Sequence, residues 1–324
     1  MSNVVINPKQ LSSSDFSDDA IIVEDPSSLQ NNNNSIQYHP LFSTEEADII
    51  LCSQDGVYFR VYSLVLKLSS GWFRSTFSLP QRPSLPSSLS SSSSSSSSPP
   101  IEPINVSESS EVLNAILSMA SGYEIPRIHD FNYLESLVHA AEKYDMPGVL
   151  SILRFAILSP AFLKNHPIRV YAIACRWDWY EEAKIASKHT LAMDLLAVDR
   201  MDDIRKVDPR DLARLMLLHR RRRDQLKDRL DCKETFYANI MPGKCSHCHT
   251  PNPHEKWHRM KYDWVTKFEQ CPIEDSAKDL LERLELADVL NATCGRCQQR
   301  MYSAEPTIRN LRQILDELPT EVEF

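Results

Sequence analysis

The residues best suited to chemistry lie in the last third of the chain. Cys245-Ser246-His247-Cys248 and Cys294-Gly295-Arg296-Cys297 form two C-x-x-C pairs. Two intervening residues let both thiolates of a pair reach one ion, and Gly295 is expected to ease the second turn. Four thiolates around one centre suit zinc, a soft-ligand tetrahedral ion. The 45 residues between the pairs exceed a short finger spacing. A helical insert with Leu280, Leu284 and Ala287 on one face could fill them. A structural zinc site and four free structural cysteines both remain open on this spacing. Disulfides are a third reading, disfavoured in a reducing compartment. Cys271 is left over and is expected to be buried.

His254-Glu255-Lys256-Trp257-His258 spells H-E-x-x-H, the pattern in which two histidines one helical turn apart bind zinc and the glutamate activates water. Pro251 and Pro253 stand just before it, and no glycine and third histidine follow at the spacing of the extended protease motif. Glu274, Glu282 or Glu285 could complete a ligand set, as could almost any acid. The expectation is that these histidines are surface residues or neighbours of the cysteines. A zinc hydrolase stands as the alternative. His219-Arg220-Arg221-Arg222-Arg223 is a basic run that reads either as a docking patch or import signal, or as a solvated helix face paired with Asp224 and Asp228. With the cysteine tail it supports a third reading, a nucleic-acid-associated regulator.

Bulk properties narrow these choices. The 324 residues suffice for two or three domains, and the net charge of −8 argues against broad duplex binding, which needs a basic face. Only six glycines occur, and no phosphate-cradling glycine loop is present. No apolar run is long enough to span a membrane, and the first residues lack the pattern of a secretion signal. Cytosol or nucleus is the expected compartment.

The elements that must position these residues begin after an acidic, serine- and asparagine-rich opening, expected to be disordered to about residue 40. Residues 47–52 read as a strand, Gln54-Asp55-Gly56 as a turn, and 57–62 as the second strand of a hairpin. Helical spacing follows at Leu64–Leu68 and at Trp72–Phe77. Residues 80–101 are dominated by serine and proline, including an unbroken serine run from Ser90 to Ser98, and are expected to form a flexible insertion. A short strand resumes at 103–106. Amphipathic helices then repeat to about residue 230, one of them capped by Asp130, others opened by Pro147 and Pro167.

These segments together resemble the BTB/POZ family. The resemblance rests on Asp48-Ile49-Ile50-Leu51, Phe59, Leu64-Val65-Leu66, Ser69-Ser70, Phe73 and Phe77. It continues through Glu111–Leu117 and the Ala141-Glu142-Lys143-Tyr144-Asp145-Met146 segment. Pro167–Ala174, Glu181–Ala186 and the paired cysteines are similar to a group of fungal BTB-domain proteins. The resemblance implies an α+β fold, helical hairpins on a small sheet, followed by a mainly helical region. It implies a non-catalytic adaptor that oligomerises and recruits protein partners, such as a second copy of itself, a cullin ubiquitin-ligase scaffold or a corepressor. Two departures bear on the homodimer. Tyr62 stands where many members carry histidine beside a buried aspartate matching Asp48, and Ala120-Ser121-Gly122 replaces Tyr-Thr-Gly.

The expected organisation is a tail at 1–40, a BTB domain at 41–158 with its insertion at 80–101, a helical extension at 159–232, and a cysteine-rich, mainly helical tail at 233–324. Periodic Leu64, Leu66, Phe73, Leu137 and Ala141 are expected in the core. Trp72, Phe77, Trp177 and Trp179 are the candidate protein-binding residues, because aromatics are enriched at interaction hot spots.

Overall fold

Alternating apolar residues make the first element. β1 (Ile49–Cys52) pairs antiparallel with β2 (Tyr58–Val61), so that Leu51 faces Phe59 and both are fully buried. The Asp55-Gly56 turn joins them, with Gly56 at φ 81°, a left-handed conformation that costs glycine little. β3 (Ile104–Asn105) lies parallel on the other side of β1, giving the sheet order β2-β1-β3. The chain segments on either side of the serine tract therefore share one sheet. This is a computed structural model, and it describes residues 37–79, 102–128, 130–231, 240–241, 244–251, 254–272 and 284–324. The acidic opening before residue 37, the serine insertion at 80–101 and Leu280 lie outside the described residues. Tyr38 and His39 had been assigned to the tail by sequence. Instead Tyr38 bridges Tyr58, and the His39 amide donates to the Tyr58 carbonyl at 2.8 Å.

Helices cover the sheet. α1 (Ser63–Ser69) and α2 (Gly71–Ser78) lead to α3 (Ser110–Ser121), α4 (Phe131–Lys143) and α5 (Pro147–Ala156). The caps follow from the residue types. Asp130 accepts the Tyr133 amide at α4, Ser109 the Val112 amide at α3, and Ser70 the Phe73 amide at α2. Asp55 reaches from the hairpin turn to the Ser110 amide and hydroxyl, and the Ser110 hydroxyl holds its carboxyl down at about 2. The α1–α2 junction docks on the turn after α4. The Ser70 hydroxyl donates to the Tyr144 carbonyl at 2.5 Å, and the Gly71 amide to the Asp145 carbonyl at 2.9 Å. A Cβ at residue 71 would meet Asp145 Oδ2 at 1.8 Å, so glycine is required there unless Asp145 moves. The Tyr144 hydroxyl and Lys143 both donate to Glu108. Burial pushes Glu108 up, but these two donors outweigh it and hold it below its ordinary value.

Two expectations fail within this region. Leu64 is 65% exposed, because α1 buries Leu66 and the residue two positions earlier points the opposite way. Asp48 is not buried. It sits at the surface and caps α1 by accepting the Ser63 amide at 2.7 Å and the Ser63 hydroxyl at 2.5 Å. Leu66, Phe73, Leu137 and Ala141 are in the core as expected.

The helical run continues without a break in the core. Pro160 opens a further helix, α6 (Pro160–Asn165), which follows α5 after a short turn. α7 (Pro167–Arg176), α8 (Tyr180–Thr190), the short α9 (Met201–Ile204) and the long α10 (Pro209–Asp231) complete it. Residues from Phe42 to Leu218 form one apolar cluster, joined by Val322 from the far end of the sequence. A second cluster contains Leu226 and Leu230 of α10 and residues of α11 (Glu255–Gln270), α12 (Leu284–Leu290) and α13 (Ala304–Glu317). α10 therefore serves both cores. Between its two apolar sets lies buried Arg222, whose guanidinium donates to the carbonyls of Pro272, Leu318 and Pro319. Two two-residue strands, β4 (Ile240–Met241) and β5 (Lys244–Cys245), pair antiparallel in the tail. They are too short to leave an alternating sequence signal. The fold is α+β, and no helix among the described residues is long and apolar enough to cross a membrane.

His219 lies where α10 packs on the α8 end. Thr190 spends its one hydroxyl proton on the Ser187 carbonyl at 2.6 Å, so the contact at 3.1 Å requires His219 Nε2 to donate. Burial holds this imidazole neutral, down to about 4, against the opposing pull of Asp194 and with a smaller push from Arg222. An unfolded histidine takes its proton near 6.5, whereas the folded one refuses it until about 4. Stability present above pH 6.5 is expected to fall as pH drops toward 4 and then to level, by at most about 3 kcal/mol. Denaturant titrations of wild type and His219→Gln across this range test it; the variant should show a shallower pH slope than wild type.

Candidate metal centre

Each cysteine pair folds into the same knuckle. In the first, the Cys245 amide donates to the Thr250 carbonyl at 2.9 Å and the His249 amide returns to the Cys245 carbonyl at 2.8 Å. In the second, the Cys294 amide donates to the Gln299 carbonyl and the Gln298 amide to the Cys294 carbonyl, both at 2.9 Å. The chain reverses at His249 (φ 55°) and Gln298 (φ 57°), one residue beyond each second cysteine. Gly295, expected to ease the turn, is not among the residues with positive φ. The bend falls three residues later, where the backbone bonds close.

The knuckles face each other. Cys245 Sγ is 3.6 Å from Cys297 Sγ, and Cys248 Sγ is 3.5 Å from Cys294 Sγ; all four sulfurs lie within 4.8 Å of one another. A disulfide needs about 2.05 Å, and all four cysteines are free. Thiolates at about 2.3 Å from a shared tetrahedral ion would stand about 3.8 Å apart. The observed spacing matches the second geometry. Cys245 and Cys294 are buried, Cys248 and Cys297 partly so.

Backbone and side-chain donors surround the sulfurs. The Thr250 hydroxyl, 3.2 Å from Cys248 Sγ, leads the groups that lower this thiol to about 6. The amides of Cys297 and Arg296 lower Cys294. The Gln299 amide favours the Cys297 thiolate, but burial and the three neighbouring thiols outweigh it and push Cys297 up to about 12. Four sulfurs this close cannot all ionise without a compensating cation. Thr250 and the left-handed positions 249 and 298 were missed by sequence reasoning. Neither histidine nor glutamine at such a position carries the mark that glycine would.

The H-E-x-x-H residues are placed apart from the cysteine quartet. His254 is not inside the helix; it stands at the N-cap of α11 with φ 52°. Its Nδ1 is 2.9 Å from the Tyr302 hydroxyl, just past the second knuckle. Glu255 and His258 are exposed. Among the described residues, the cysteine quartet is the one group of three or more Cys, His, Asp and Glu side chains close enough to hold an ion. Glu274 and Glu282 lie outside the described residues, as does the Glu285 side chain. Cys271, expected to be buried, is partly exposed. In α12 the buried residues are Leu286, Val289 and Leu290, while Ala287, expected on the apolar face, is exposed.

The other candidate residues are dispersed. In the basic run Arg222 is buried, Arg221 pairs with Glu323, Arg220 with Asp224, and Arg223 with Asp224 and Glu269. Trp179 is buried and stacks on the partly buried Trp177. Phe77 packs against Phe73. Trp72 is the most accessible of the four, 40% exposed, and packs edge-to-face with Phe73 and Tyr144. Comparison with protein-family models and with curated proteins finds no match to this chain. If His254 is a structural hinge for the second knuckle, Tyr302→Phe should cost about 1 kcal/mol of unfolding free energy, read as a lower midpoint in urea.

Proposed function

We propose that this chain is a non-catalytic docking subunit of the BTB/POZ type, which associates with a second copy of itself through the outward face of α1. The observation that carries this reading is the pair Leu64 and Leu68, one helical turn apart and 65% and 73% exposed. Tyr62, at the N-cap of α1, is exposed as well. Lys67, the charged residue of α1, stands 5.8 Å from the Phe77 ring rather than over the leucines. An exposed aliphatic helix face meets its best complement in another such face, and a two-fold pair presents the same patch from both sides. Further support comes from the three-stranded sheet under paired helices, which is the arrangement that the resemblance implies. The wider partners it implies are a cullin scaffold or a corepressor. Light scattering after size exclusion should give a dimer for wild type and a monomer of unchanged helicity for Leu64→Glu/Leu68→Glu. A wild-type monomer at tens of micromolar would count against the reading.

In the same reading the four cysteines hold one structural zinc. Zinc would replace the shared protons and fix the two knuckles, and through them α11 and α12, in the second core. Elemental analysis should find one zinc per chain. Cys245→Ser/Cys297→Ser should lose it and His254→Ala retain it. Strong chelators should melt the second core before the first.

A further inference from the structure

A cavity of about 960 Å³ opens where α7, α8 and the start of α10 meet. Five cationic side chains line it, Arg176, Arg205, Lys206, Arg210 and Arg214, against three acids. This excess stands out in a chain of net charge −8. The acids are already engaged. Asp178 accepts from the Tyr180 hydroxyl at 2.8 Å, Asp208 from the Arg210 amide at 2.9 Å, and Asp211 from Arg214 at 2.6 Å. The cations are held loosely. Arg176 pairs with Glu142 and Arg205 with Asp202 at exposed positions, and Lys206 reaches Glu135 while remaining half exposed. Such surface pairs are weak, and an incoming carboxylate can exchange with them. Four of the five cations are arginines, whose planar fork matches carboxylates two-point to two-point.

One rim of this cavity already carries a segment of fitting chemistry. Glu321-Val322-Glu323-Phe324 alternates acidic and apolar residues. Its Phe324 ring lies against Tyr180, 4.6 Å between centroids, and Arg214 stands 5.2 Å from the same ring. Both Tyr180 and Arg214 line the cavity. Val322 inserts into the first core and donates its amide to the Ser187 hydroxyl, while Glu323 meets Arg221.

We infer that this cavity is a docking site for an acidic peptide segment of a partner protein, its glutamates or aspartates on Arg205, Arg210 and Arg176 and an aromatic side chain beside Tyr180. The inference rests on the docking role proposed above and supplies the chemistry of the partner. The rim segment favours a peptide over a polyphosphate or a nucleic acid, since its Phe324 ring is seated on Tyr180 and Arg214 of the cavity while Glu323 meets a neighbouring arginine, Arg221, outside it.

The test is fluorescence anisotropy with a labelled glutamate-rich peptide bearing one phenylalanine, its glutamine counterpart, and single-stranded DNA. The full chain should bind the glutamate peptide, lose about tenfold in affinity at high salt, and bind the glutamine peptide far more weakly. Arg205→Glu/Arg210→Glu should also lose about tenfold or more while keeping its circular dichroism. Both positions are exposed, and an acid in the first turn of α10 favours that helix. The Leu64→Glu/Leu68→Glu protein should bind the peptide like wild type, so loss of self-association and loss of peptide docking are read separately. Equal binding by the charge-reversed protein, equal binding of the glutamine peptide, absent binding, or tighter variant-sensitive binding of the DNA would each overturn the inference.

Discussion

The structure depends on one constraint: α10 must satisfy two apolar cores with a single rigid helix. Its Leu215 and Leu218 belong to the first core, and its Leu226 and Leu230 to the second. A helix cannot turn between them, so the change of partner happens around a polar residue. Arg222 fills that place. Its buried guanidinium meets carbonyls rather than a carboxylate, and burial lowers it to about 10. Three donated bonds compensate the desolvation of the charge and tie residues 272, 318 and 319 to the helix. The proposed peptide cavity sits at the start of α10. The cysteine site depends on α11, which packs with the far end of α10 in the second core.

The rest of the first core is locked by polar groups at element ends rather than by apolar area alone. Asp55 joins the hairpin turn to α3, Asp48 joins β1 to α1, and Ser70 joins the α1–α2 junction to Tyr144. The Asp55 and Ser70 bonds cross sequence separations that include the serine tract. They explain how a long low-complexity insertion is tolerated. Loop closure grows only slowly in cost with length, and the strand and helix on either side are held by contacts that do not involve the insertion.

The two knuckles show how a site is made from unremarkable parts. Each contributes a buried cysteine, a partly exposed cysteine and a left-handed residue. Their symmetry is a property of backbone hydrogen bonds, not of matching side chains, since His249 and Gln298 share nothing but their conformation. The same economy applies to His254. One ring nitrogen beside Tyr302 ties the start of α11 to the second knuckle. The first histidine of the H-E-x-x-H segment thus stands outside the helix, between its start and the turn at Tyr302.

Much of the local structure was legible in the residues. Asp130 and Pro147 marked real helix starts, the Asp-Gly turn marked the hairpin, and the two C-x-x-C pairs marked the candidate site. Each is set by interactions within a few residues, which the sequence encodes directly. Leu64, Arg222 and Gly295 were misread or missed because their roles depend on what stands opposite them. Periodicity says that a helix has an apolar face, but only the packed neighbours decide which leucine is covered. Spacing says that two cysteines can share an ion, but only the fold brings the second pair within 4.8 Å of the first. By itself the sequence determined the longer elements, local caps such as Asp130 and the ligand types, all short-range properties of a chain. The tertiary structure alone decided that one helix serves two cores, that a basic cavity opens at its start, and that α1 keeps two leucines in solvent, because burial and charge balance are properties of surfaces that distant segments make together.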